Sequence, residues 1–222
     1  MLEDGEGNER LVNSILEYNQ EFQFFGETKH FSSTSDYESG FQVNKYMDAF
    51  KYKDATKAGY VNTNGDNPTT RINFPLIRFA EMLLFRAEAY IMTEKASLAK
   101  EDINRIRRRS NLLEISHDPT MADLYHERRC ELAFEFTDHL FDLKRWNRSS
   151  NPEIKELATK ELNSRPRVRI YEDRANPEST FEVGYYEDYV NKSPYEDYMM
   201  VFPYSPKQIT KSNGMLKQNK GY

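Results

Sequence analysis

Three acids, Glu127, Glu131 and Glu135, recur at four-residue spacing in Leu124-Tyr125-His126-Glu127-Arg128-Arg129-Cys130-Glu131-Leu132-Ala133-Phe134-Glu135-Phe136. On a helix they fall in one stripe roughly 80° wide. Paired carboxylates can do two kinds of work. A retaining glycosidase sets one as nucleophile and the other as acid, and Glu127 with Glu131 is the pair that could serve. Alternatively, acids flanked by apolar shoulders (Phe134 on one side, Leu132 and Tyr125 on the other) can be buried against cations as a structural lock. Arginine suits that second role because its planar fork meets carboxylates two bonds at a time. Arg107 and Arg109 close a preceding segment, Arg78 and Arg145 flank the stripe on either side, and many arginines hold acids ionised. A general acid needs the opposite shift. The expectation is therefore a lock of Arg78, Glu81, Glu88, Arg107, Arg109, Glu127, Glu131, Glu135 and Arg145, with no catalytic residue.

The elements that must carry these groups read as helices. From Pro75 to Met92 apolar residues leave little solvated face, so this helix is expected to be central, with Arg78, Glu81 and Glu88 as a polar seam. A second helix, about Ser97 to Arg109, forms an antiparallel pair with it through a short connector, the unit of helical repeat proteins. The third runs from about Met121 to Phe136, and Phe141 to Trp146 forms a short turn. Residues 1–72 read as short strands and loops continuing from an absent N-terminal part, and 73–222 as a helical domain. Asn62 to Pro68 reads as a loop by composition. Residues 150–200 are less regular, apart from a strand-like alternation near Arg165 to Tyr171.

Composition narrows the classes. The chain has 222 residues, a net charge of −5 and 38% hydrophobic residues, with 15 Tyr and 14 Phe supplying much of the apolar content. Mean hydropathy is −0.86. That fits a folded, aromatic-rich protein and offers no global attraction to nucleic acid. One cysteine, Cys130, excludes an internal disulfide, and the four histidines lack zinc-ligand spacing, so no metal or cofactor is expected. No run reaches the 18 or more apolar residues of a membrane span.

Five ordered segments carry a family resemblance. They are Arg78-Phe79-Ala80-Glu81-Met82-Leu83-Leu84-Phe85-Arg86-Ala87-Glu88-Ala89; Ile103-Asn104-Arg105-Ile106-Arg107-Arg108-Arg109; Glu127 to Glu135; Asp142-Leu143-Lys144-Arg145-Trp146; and Phe202-Pro203-Tyr204-Ser205-Pro206 through Gln218-Asn219-Lys220-Gly221-Tyr222. Weaker echoes lie at Asn8-Glu9-Arg10-Leu11 and Lys45-Tyr46. Together they resemble the C-terminal part of the SusD/RagB family of outer-membrane nutrient-binding lipoproteins of Bacteroidetes.

The resemblance implies a mainly α, SusD-like fold with tetratricopeptide-type helix pairs and long irregular loops. It implies non-catalytic capture of a glycan, or in some relatives a peptide, at the surface of the outer membrane. The oligosaccharide would pass to a SusC-like TonB-dependent transporter, and a lipid anchor outside this chain would hold the protein to the membrane. Sugar faces stack on aromatic rings, and Phe24, Phe25, Phe31, Tyr37 and Tyr46 are the candidates, in a region with Asn and Ser nearby. A glycosidase acting through Glu127 and Glu131, and a helical-repeat scaffold for protein partners, are the alternatives.

Overall fold

The computed structural model describes residues 9–17, 20–24, 27–30, 41–45, 61–64, 67–70, 73, 75–135, 139–165, 167–173, 176, 179–185 and 194–222. Two units are distinguished, Met1–Asp138 with Val168–Gly184, and His139–Arg167 with Tyr185–Tyr222. Helices dominate, and the strands form isolated two-stranded pairings.

The first unit runs through α1 (Glu9–Ser14), β1 (Ile15–Glu17), β2 (Glu21–Phe24), β3 (Glu27–His30), β4 (Phe41–Val43), β5 (Val61–Asn64) and β6 (Asn67–Thr70). It continues with α2 (Phe79–Met92), α3 (Ala96–Arg109) and α4 (Met121–Glu131), and takes in β7 (Val168–Tyr171) and β8 (Phe181–Gly184) from further along the chain. Strand β1 pairs antiparallel with β4, Leu16 opposite Gln42. β5 and β6 also pair, so the Asn- and Thr-rich stretch expected to be a loop supplies two strands.

Helices α2 and α3 form the expected hairpin, joined through Thr93, Glu94 and Lys95, with Glu94 in the left-handed region at φ 60°. Leu83, Leu84 and Ala87 of α2 are buried, as are Ala99, Ile103 and Ile106 of α3 and Leu124 of α4. Burial of this kind contributes on the order of 1.5–3 kcal/mol for each large side chain. A bidentate pair from Arg86 to Asp102 at 2.9 and 2.6 Å ties the hairpin together. Asn104 bonds both backbone groups of Ile115 and fixes the link into α4. Helix α4 opens on a capping box in which Thr120 and Asp123 satisfy each other's backbone amides.

Two expectations need correction here. The helix expected from Pro75 starts at Phe79, because Arg78 keeps an extended backbone (φ −132°, ψ 165°) as its N-cap. Nor is α2 enclosed on all sides, since Phe79, Met82 and Phe85 are largely exposed. Arg105 lies 4.9 Å above the Phe79 ring and Arg128 4.8 Å above Phe85, so guanidinium groups shield part of that stripe.

The second unit holds α5 (His139–Asn147), α6 (Pro152–Leu162), a 3-10 turn (Asp197–Met200) and α7 (Pro206–Lys211). Trp146 is buried with Leu143, Ile154, Ala158 and Leu162. Helix α6 lies in the stretch expected to be irregular, where Asn151 caps it and Pro152 occupies its first turn. The C-terminus folds back as a clasp. Gln218 bonds both backbone groups of Tyr204, Asn219 donates to the Phe202 carbonyl, and the Tyr222 hydroxyl donates to that of Val201.

Candidate functional site

Helix α4 ends at Glu131, one turn short of the expected Phe136. Its last carbonyls need partners from outside the helix. Leu132 caps it, and Phe134 then adopts φ 63°, which turns the chain so that Glu135 comes back alongside the helix end. The third acid of the stripe is therefore placed by a left-handed turn and not by helical periodicity.

Among the described residues five cations converge on the three acids. Glu127 is 1% exposed and accepts from Arg10 Nη1 at 2.5 Å on one oxygen and from Arg107 Nη1 at 2.9 Å on the other. The Glu131 side chain, 0% exposed, meets Arg78 at 2.7 Å and Arg109 at 2.5 Å, with Arg10 at 3.4 Å. Glu135 receives a bidentate fork from Arg78 at 2.6 and 2.7 Å, and Lys45 Nζ at 2.5 Å. Lys45 also donates to the carbonyls of Glu131 and Ala133, and Arg78 to that of Glu131. Cations at a helix C-terminus meet both its orphan carbonyls and the negative end of its dipole.

The electrostatics follow from this geometry. Burial works to raise the Glu135 pKa, but the bonds from Arg78 and Lys45 outweigh it and hold the carboxyl below its ordinary value. Arg78 and Arg10 are each pushed down by burial and, more strongly, up by their acids, so both stay charged. For Lys45 burial wins and its pKa falls despite Glu135.

Of the residues singled out in the sequence, the structure joins Arg78, Arg107, Arg109, Glu127, Glu131 and Glu135. Glu81 and Glu88 are buried on α2. Arg145 lies in the second unit, where it bonds Asp142 three residues before it at 3.0 Å. Among the aromatic candidates, Phe24 ends strand β2; Phe25, Phe31, Tyr37 and Tyr46 lie outside the described residues.

Arg10 and Lys45, which the sequence does not place in the lock, complete it. The β1–β4 ladder brings them to it. Arg10 sits on α1, which runs directly into β1, and Lys45 follows β4, with Asn44 and Lys45 amides donating to the Ser14 carbonyl at 2.9 and 3.4 Å. Both residues fall in the two weaker echoes of the family pattern, the one sequence signal that could have found them. Beside the network lies a cavity of about 400 Å³, lined by Arg10, Lys45, Arg78 and Arg109 together with Ser14 and Ser110. Among the described residues no cluster of His, Cys, Asp and Glu could hold a metal ion.

The SusD family model matches residues 1–222. No curated protein matches the chain. A SusD-like protein from Bacteroides fragilis NCTC 9343 has the same fold with a TM-score of 0.65 and 23% identity, over 96% of this chain and 38% of that one. A SusD superfamily protein from Parabacteroides distasonis ATCC 8503 gives 0.53 and 17%, over 99% of this chain and 40% of that one. The chain thus spans about two-fifths of the length of these solved proteins, covering 38% and 40% of them.

Proposed function

The chain belongs to the SusD family, and from that premise we propose that it takes part in capturing a glycan at the outer surface of the outer membrane and passing it, chemically unchanged, to a SusC-like TonB-dependent transporter. The observation that carries this reading is the family match across all 222 residues. Attachment would come from a lipid anchor; no helix among the described residues is long and apolar enough to cross a membrane. Sugar rings would stack on the aromatic candidates Phe24, Phe25, Phe31, Tyr37 and Tyr46, whose apolar faces suit the C–H faces of a pyranose.

The acid network supports a role without catalysis. A retaining glycosidase needs one carboxyl protonated and both facing the scissile bond. Glu127 and Glu131 are 1% exposed, and each of their carboxylate oxygens meets at least one guanidinium. With every oxygen taken up by a guanidinium and both side chains buried, these acids are closed to substrate.

Calorimetric titration against plant, host and microbial oligosaccharides tests the proposal, with each ligand recovered and sized afterwards. Saturable binding with the sugar returned intact is expected. Shortened products would replace the reading with a hydrolase, and no heat from any glycan would remove glycan capture by this chain.

A further inference from the structure

The cavity beside the lock carries donors on Arg109, Ser14 and Ser110 that no ion pair or hydrogen bond among the described residues takes up. Its volume of about 400 Å³ falls within the roughly 300–1,000 Å³ of small-molecule sites. Four cations line it, Arg10, Lys45, Arg78 and Arg109, against the carboxylates of Glu9, Glu131 and Glu135. Glu9 is already engaged, accepting from Asn111 at 2.7 Å. Arg109 gives only Nη2 to the network, and its side chain is 61% exposed. Its Nε and Nη1 donate to no described residue.

Two serines add to this. Ser14 and Ser110 are 3% and 4% exposed and line the same cavity. Neither hydroxyl bonds any described residue. Both oxygens open onto the cavity and are not sealed in the core, so each can donate to a ligand there. A carboxylate would offer two oxygens to a charged guanidinium and to hydroxyls able to donate. The surrounding excess of cations favours an anion over a neutral or cationic guest.

We propose that this cavity binds the carboxylate of a small ligand, with Arg109 as its charged partner and Ser14 and Ser110 as hydroxyl donors. Where the ligand is a sugar, a step that rests on the glycan reading above, it is an acidic one such as a uronic acid.

The test is calorimetric titration of the 222-residue chain with D-glucuronate and D-galacturonate, run beside D-glucose and acetate. Saturable binding of a uronate but not of glucose is expected, weakened about tenfold or more by Arg109→Gln, the scale of one lost charge-assisted hydrogen bond. Ser110→Ala should weaken it as well, and keeps the test open if Arg109→Gln fails to fold. Acetate binding as tightly as the uronates would keep the carboxylate site and assign it to a non-sugar acid. Absence of uronate and acetate binding, or affinity unchanged in both variants, would overturn the proposal. Neutral oligosaccharides binding in that same case would leave glycan capture standing, so the two readings fail separately.

Discussion

Glu131 shows what the lock does at the scale of a residue. Its side chain is fully buried and meets Arg10, Arg78 and Arg109, while its own carbonyl accepts from Lys45 and Arg78. Desolvating so much charge is expensive, and only the mutual pairing offsets it. Removing one carboxylate leaves several guanidinium groups facing each other with less to hold. Glu131→Gln keeps the shape and removes the charge, so it isolates that effect. The expected loss is about 3–5 kcal/mol of unfolding free energy, read from chemical denaturation. A stable variant would mean that these acids are dispensable to the fold and would reopen a catalytic role for them.

At the scale of elements the clasp in the second unit makes a comparable case. Gly221 has φ 105°, and a Cβ there would overlap the Tyr198 ring, which packs edge-on against Tyr222 at 4.9 Å. Gly221→Ala therefore meets both backbone strain and a clash, and should cost about 1–3 kcal/mol. Amide exchange should speed up over residues 198–222 and stay unchanged in α2 and α3; protection as in the parent would sink the idea. The elements also show where sequence reading reaches its limit. The α2–α3 hairpin was legible because Leu83, Leu84, Ala87, Ile103 and Ile106 repeat with helical period, and Arg107 and Arg109 were legible because their acids lie 20 and 22 residues further on. The place of Glu135 was not, since a left-handed Phe134 carries no Gly or Asn to announce it. Arg10 lies 117 residues from Glu127, and no local pattern encodes such a contact. Strands β5 and β6 were hidden by turn-like composition, while the cap at Asn151-Pro152 was present in the sequence and passed over. The cavity was invisible for another reason, because it is defined by groups that two separate elements, α1 and the end of α3, leave over.

For the molecule as a whole, acid stability combines a local and a global effect that salt can separate. Glu135 titrates lower folded than unfolded. Its contribution is therefore fully present above its ordinary value of 4.5 and is lost as pH falls through the lower folded value. Acidification also erases the net charge of −5 and leaves 31 Lys and Arg with 4 His uncompensated, so self-repulsion grows over the same range. Added salt screens that repulsion but reaches little of a carboxylate that is 4% exposed. Urea unfolding of the parent and of Glu135→Gln, followed from neutral pH to about pH 2.5 in low and high salt, distinguishes the two. Near neutrality the parent should be more stable by about 2 kcal/mol or more, the scale of its charge-assisted bonds to Arg78 and Lys45. That gap should close below pH 4.5 and close alike in both salts, while the slope common to the two proteins flattens in high salt. A gap that persists at low pH would mean that Glu135 stabilises the turn by shape and not by charge, and the lock would then be an assembly of hydrogen bonds in which ionisation plays no part.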